Sequence, residues 1–293
     1  MSNHGAQKIE YQSAADRRAA ASSLVAHLAL CLAAAISIVP FLWLICASLK
    51  RGEDLFTSTF LPWRHLNTLT LENFTSLFHR QAFGNWLLNS IFIASTQTCI
   101  VVTLSSLGGF ALAKYEFRFK KPLMVIMLAT MLLPSQVLLG SMYELMNKLG
   151  WMNTYFAILV PGAVSVFGMF LFRQAMAGVP DELLQAGRVD GCSELRLWWD
   201  IALPVVRPMI GAFTLMTFLG SWNSYLWPQI ILQDESRFTL PMGLAAMVSL
   251  QEYQTNYGAL MAGTLISILP VVILFFALQR DFISGLTSGA IKG

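Results

Sequence analysis

Between Val179 and Pro208 the chain reads VPDELLQAGRVDGCSELRLWWDIALPVVRP and holds five acids and three arginines. Such a cluster could do acid–base work, hold a metal ion or dock a partner. The first two uses lack their other halves. The four histidines, His4, His27, His65 and His79, are scattered, and no H-E-x-x-H or Cys/His set stands at zinc-ligand spacing. There is no G-x-x-x-x-G-K-[ST] phosphate loop and no G-x-S-x-G elbow. No catalytic residue and no metal ligand is therefore expected. A docking surface remains.

A second constellation is uncharged. Asn89 and Gln97 stand in one apolar run, and "GSWNSYLWP" gathers Trp222, Asn223 and Tyr225 in another, just before Pro228. Interhelical hydrogen bonds, at ~0.6 kcal/mol each, account for such residues singly. Grouped rings and amides also suit a neutral polyhydroxylated ligand, whose C–H faces stack and whose hydroxyls pair. The apolar runs contain one histidine, His27, and no carboxylate. A chain without acids at membrane depth has no proton relay of its own, and it lacks the groups an intramembrane hydrolase needs.

These residues must be positioned by elements made for lipid. Charged side chains are 12% of the 293 residues, hydrophobic ones 56%, and mean hydropathy is +0.60. The apolar residues fall in six charge-free blocks: Leu24 to Leu49, Gln81 to Ala113, Pro122 to Tyr143, Leu149 to Phe172, Pro208 to Gln233 and Tyr253 to Gln279. Each exceeds the ~20 residues a helix needs to cross ~30 Å of hydrocarbon. β-barrel spans are shorter and alternate, which excludes a barrel. The expectation is an all-α integral membrane protein with spans near 24–49, 85–113, 122–143, 151–172, 208–232 and 257–279. An N-terminal segment, 1–23, and a C-terminal tail, 284–293, flank the 24–283 membrane domain.

With the N-terminus inside, thirteen Lys and Arg lie in inner segments and six in outer ones, so both termini are expected in the cytoplasm. The apolar run after Arg17 and Arg18 is too long for a cleavable signal and reads as a signal anchor. Cys31, Cys46 and Cys99 fall in spans and Cys192 in an inner segment, so no disulfide is expected. Net charge is +3, which does not point to nucleic acid. The outer stretch "LPMGLAAMVSL" is apolar but carries Pro241 and Gly243, and reads as a short interfacial helix or a re-entrant loop. Pro40, Pro134, Pro161 and Pro270 are expected to kink their helices.

The charged stretch itself, 173–207, reads as two short helices around a corner. Asp181 and Glu182 can cap the first, and Gly191 can stop it with positive φ. Ser193 can cap the second, whose Leu195, Trp198, Trp199 and Ala202 follow i, i+3, i+4, i+7. A hairpin lying on lipid is the alternative, but an excess of acids would be repelled by anionic lipid. A protruding knob that docks a protein fits better.

"QAGRVDGCSELRLWWDIALP" resembles the EAA motif of ATP-binding-cassette importer permeases. Ala186, Asp190 and Gly191 stand in register, and Gly191 is followed at the family spacing by Ile201, Leu203 and Pro204. Gln185 and Gly187 replace the usual Glu and Ala. "NWLLNS", "GGFALAKYEF", "MLLPSQV", "LGWMNTYFAILVP", "FTLPMGL" and "FISGLTSGAIKG" are similar to the MalG-type permeases of the carbohydrate-uptake branch, over nearly all of residues 20 to 293. The resemblance implies the type I importer permease fold, with the EAA loop between spans four and five as a coupling helix. Gln185, Ala186, Gly187, Asp190, Gly191, Ser193, Trp198, Ile201, Leu203 and Pro204 would couple to an ATPase. It implies a MalF-like second permease, two ATPase subunits that bind ATP and Mg, an extracytoplasmic solute-binding protein, and a bacterial inner membrane. This chain would bind no cofactor and would pass a solute by alternating access, with Asn89, Gln97, Trp222, Asn223 and Tyr225 as pathway residues. The outer loop from Thr239 to Glu252 would probe the binding protein, and the tail from Ser284 would reach the ATPase interface. Disaccharides, pentoses, glycerol-phosphate esters and sulfonated sugars are carried by permeases of this type, and "GALMAGTLISILPVVILFF" leans toward arabinose or lactose systems. The rival readings are a sodium-coupled carrier and a membrane scaffold.

Overall fold

The computed structural model describes residues 3–51, 55, 60, 69–80, 82–249 and 257–288. Most of the first outer loop, the end of the loop that begins at Thr239 and the last five residues of the tail lie outside the described residues. The described residues are helical apart from turns and one antiparallel bridge, Lys50 to Leu69. The all-α expectation holds.

Contacts divide the chain into two units. The first takes in residues 1–74 and 256–265. Its helix α1, Asn3–Ser48, passes through Pro40 without ending. The part from Ser23 to Ser48 is long and apolar enough to cross a membrane. Its side chains stand outward, with Leu30 68% exposed, which is tenable only against lipid or other helices. Helix α2, Glu72–Arg80, starts in this unit. Buried Asn73 donates from Nδ2 to the Ser48 and Lys50 carbonyls at 2.8 and 2.7 Å, closing the turn after α1.

The second unit covers 75–255 and 266–293. Its spine is α3, Phe83–Lys114, a helix of 32 residues and so ~48 Å long. Next come α4, Lys120–Thr130, and α5, Leu139–Lys148, then α6, Phe156–Leu159, and α7, Val166–Ala177. The charged stretch supplies α8, Asp181–Val189, then α9, Glu194–Arg196, and α10, Leu203–Val205. Helices α11, Arg207–Trp222, α12, Leu226–Ile231, and α13, Leu240–Ser249, follow. The last, α14, Tyr257–Ser288, opens in the first unit and continues in this one.

Three expected spans are continuous helices: 24–49, 85–113 and 257–279. The other three are interrupted. Around Pro134 the chain bends by 88° between Lys120–Thr130 and Ser135–Lys148. Pro161 and Gly162 separate α6 from α7, whose start is capped where the Ser165 hydroxyl accepts from Gly168 N at 3.0 Å. Helix α11 stops at Trp222 and α12 resumes at Leu226, so Pro228 lies inside α12 and not at the break. Pro270 likewise sits inside α14 without ending it. The part of the LPMGLAAMVSL stretch from Leu240 to Ser249 is helical, as α13.

One core joins α3, α7, α11 and the charged stretch: Phe110, Phe172, Met176 and Phe213 pack with Leu184, Leu197 and Trp198. Helices α3 and α7 come unusually close, because a methyl on Gly109 would lie 2.5 Å from Phe172 Cβ and 2.8 Å from Arg173 N. Only glycine admits that approach.

Candidate functional site

The charged stretch is a knob of two helices and a corner. Extended Pro180 leads into α8. Asp181 does not cap the helix, as its type and place had led us to expect. Its carboxylate instead accepts from Lys114 Nζ at 2.6 Å, and the same ammonium donates to the Val179 carbonyl at 2.6 Å. A long, buried cation reaching a carboxylate and a carbonyl together outcompetes the weaker local cap.

At its other end α8 closes as expected. Gly191 has φ +82°, and its N–H donates to the Arg188 carbonyl at 3.1 Å while Cys192 N–H reaches back to Gly187 O at 2.9 Å. This pair of reversed bonds is the Schellman closure, which requires the left-handed residue that Gly191 supplies. Asp190, one residue earlier, is the C-cap. Gly187 faces the second helix: a methyl there would stand 2.6 Å from Leu197 Cδ2 and 2.8 Å from Ile201 Cδ1. Gln185 and Ala186 lie on the exposed side of α8.

Ser193 caps the second helix, its hydroxyl accepting from Arg196 N at 3.4 Å. From Leu197 to Ala202 the helix then widens to a π turn. That changes which side chains are buried. Leu197, Trp198 and Ala202 are inside, whereas Leu195 and Trp199 are 67% and 62% exposed. The expected stripe of Leu195, Trp198, Trp199 and Ala202 assumed the α period, and i→i+5 bonding rotates residues off it. Ile201 and Leu203 are half-buried and Pro204 is exposed. With Val189 at 89% exposure, Leu195 and Trp199 give a charged knob apolar surface that water does not favour.

The corner is braced across Gly191. Arg188 donates to both Glu194 oxygens, Nε to Oε1 at 2.9 Å and Nη2 to Oε2 at 3.2 Å, and the Tyr115 hydroxyl donates to the same carboxylate. The Arg188 hydrogen bond, then that of Tyr115, holds Glu194 below the usual carboxylate range. Burial and then the Glu194 hydrogen bond push the Tyr115 phenol up, and Glu194 raises Arg188 further. Sequence reasoning missed Lys114 and Tyr115. Their signal was a Lys–Tyr pair directly after an apolar helix, which was counted only as inner-loop charge.

The proposed pathway residues are not brought together. Both Asn89 amide hydrogens are engaged, by Ser236 O at 2.9 Å and Phe238 O at 3.0 Å. Among the described residues, buried Gln97 finds no partner for either end of its amide, which lies 2.8 Å from where a methyl on Gly162 would stand. Trp222 is buried and stacks on Phe218 at 5.7 Å. Asn223 turns outward and returns its amide to Leu219 O at 2.9 Å, and Tyr225 is exposed. Near the knob, Thr98, Val102, Trp198, Ile210 and Phe218 line a cavity of ≈ 510 Å³. The indole N–H of Trp198 has no hydrogen-bond partner among the described residues.

A second fastening lies at the other end of α3. There the Trp86 indole donates to Glu235 O at 3.2 Å and the Ser90 hydroxyl accepts from Leu240 N at 2.7 Å. Asn153, at φ 59°, holds the same loop: its Nδ2 donates to Asp234 at 2.6 Å and its Oδ1 accepts from Gln233 N at 3.1 Å. Asn is among the few residues that take this conformation cheaply.

Comparison with known proteins adds to these observations. Residues 104–286 match the family described as "Binding-protein-dependent transport system inner membrane component". The chain is 37% identical over 259 residues to the arabinooligosaccharides transport system permease protein AraQ of Halalkalibacterium halodurans, covering 88% of this chain and 92% of that one. It is 31% identical to the lactose transport system permease protein LacG of Rhizobium radiobacter, covering 92% and 96%. Its fold is similar to a chain of a bacterial ABC transporter involved in the import of the acidic polysaccharide alginate, with a TM-score of 0.78 at 22% identity, covering 89% of this chain and 96% of that one. The apolar helices, the capped knob and these likenesses together make the chain a member of the binding-protein-dependent transport system inner membrane component family, the permeases of ABC importers.

Proposed function

We propose that this permease passes a sugar or sugar-like solute inward across a bacterial inner membrane, as one subunit of an ATP-driven importer. The observation that carries the reading is the knob: closed by a Schellman turn, braced by Arg188 and Glu194, and sharing one core with α3, α7 and α11. A body so tied together moves as a unit, which is what transmitting force requires. Its exposed Val189, Leu195 and Trp199 supply the apolar part of a surface for an ATPase subunit. Gln185, Ala186 and Asp190 flank that surface on α8 and its cap.

In this reading two ATPase subunits bind ATP and Mg, while this chain binds no cofactor and catalyses nothing. A MalF-like second permease completes the membrane part, and a solute-binding protein delivers the cargo. With six spans, both termini and the knob lie in the cytoplasm, a topology supported by the excess of Lys and Arg in the segments assigned to the inside. Closure of the ATPase pair drives the knob, and the attached helices switch access from one side to the other. Gln97 is the residue best fitted to meet the solute, because a buried amide without partners is costly at membrane depth. The sugar class is supported by the names of the relatives, for arabinooligosaccharides and lactose.

Co-purification tests this. The tagged chain is expected to bring an ABC ATPase and a second permease, and the associated binding protein to be stabilised by a member of a sugar panel in a thermal-shift assay. Recovery of the chain alone, with uptake independent of ATP in proteoliposomes, overturns it.

A further inference from the structure

We propose that Lys114 and Tyr115 are positioning residues that fasten the knob to α3, so that α3 is drawn along when the knob moves. The inference rests on the reading of the knob as the force-receiving element.

Through the backbone the knob is continuous only with α7 on one side and α11 on the other. Helix α3, which carries Gln97 and anchors the 235–240 loop, has no covalent link to it nearby. Apolar packing alone would transmit a push well and a pull badly, since dispersion contacts weaken steeply on separation. Charge-assisted hydrogen bonds resist separation, and α3 ends in two of them placed side by side. Lys114 grips the start of α8 through Val179 O and Asp181, both at 2.6 Å. Its side chain is only 7% exposed, so water competes little for the ammonium. Tyr115 grips the start of α9 through Glu194. Arg188 holds that carboxylate by both oxygens, so it cannot swing away. Consecutive residues of one helix end thus hold the knob on both sides of its Gly191 corner. The Tyr115 ring is itself fixed, edge-on to Phe110 at 5.8 Å.

The test uses the whole complex in proteoliposomes and reads solute taken up per ATP hydrolysed. Lys114→Met and Tyr115→Phe are each expected to lower that ratio about tenfold, the factor for one lost contact of ~1.4 kcal/mol. Tyr115→Phe removes one oxygen and keeps the ring, so it remains informative if Lys114→Met fails to assemble. Glu194→Gln combined with Tyr115→Phe is expected to cost little more than Glu194→Gln alone, because the phenol's charged acceptor is already gone. An unchanged ratio in Tyr115→Phe and in any Lys114→Met complex that assembles, while Gly191→Pro abolishes coupling, overturns the fastening and leaves the knob reading intact. An unchanged ratio in Gly191→Pro as well removes the knob reading, and the fastening with it.

Discussion

At its first residues α3 offers Trp86, Asn89 and Ser90 to the backbone of the loop from Glu235 to Leu240, and each of these contacts is neutral. At its last residues it offers Lys114 and Tyr115 to carboxylates of the knob. The bonds at the neutral end join uncharged groups, so they do not themselves titrate. The charged end is part exposed, with Asp181 at 70% and Glu194 at 52%, so it is strong where water is excluded and adjustable where it is not. One helix therefore carries a permanent fastening at one end and a tunable one at the other.

The sharpest way to break this contrast is Gly191→Pro. Proline is locked near φ −65° and cannot adopt +82°, a change of about 3 kcal/mol or more that undoes the corner. ATP-driven uptake and stimulated hydrolysis are expected to vanish in proteoliposomes, while membrane insertion survives. Asp190→Arg, at the C-cap, is expected to act in the same direction. Ser90→Ala attacks the neutral end. It strands the Leu240 N–H in a buried site and is expected to cost about 1–3 kcal/mol, seen as earlier thermal unfolding in detergent, with uptake per ATP unchanged.

Acid separates the two ends more gently. Glu194 is held below its ordinary value, so its contribution is present above that value and lost as pH falls through the lowered one. Tyr115 is pushed up, so its donor is kept below its ordinary value and lost only as pH rises through the raised one. Hydrogen exchange over 181–196, corrected for intrinsic rates, is expected to stay flat between about pH 5 and 9 and to rise below about pH 4. Exchange of the Leu240 amide, held by the uncharged Ser90 hydroxyl, is expected to respond less. The smallest effect is expected for Gln97→Leu: a several-fold loss of uptake with the ratio to ATP intact, separating solute contact from fastening.

Much of this was legible in the sequence. The absence of charge announces apolar helices in all six blocks, of which those at 24–49, 85–113 and 257–279 run on as single helices. Gly191 and Ser193 announce the corner and the cap by type alone, because few residues tolerate positive φ or accept from an N3 amide. The π turn at Leu197–Ala202 was not legible: periodicity assumes one period, and nothing in LWWDIA marks the change. Nor was the partner of Asp181, since a local cap is inferred from neighbours whereas Lys114 arrives from a distant helix. Asn89 and Gln97 looked alike in the sequence. Only the fold shows that one amide is occupied and the other idle.

The glycine contact at Gly109 has a mechanical result. With backbone laid against backbone there, α3 and α7 have no cushion of side chains between them over which to slip. Sliding of one helix along the other is therefore resisted at that point, and flexure is expected to gather where the pair ends, in the unwound residues from Pro161 to Ser165 beside Gln97.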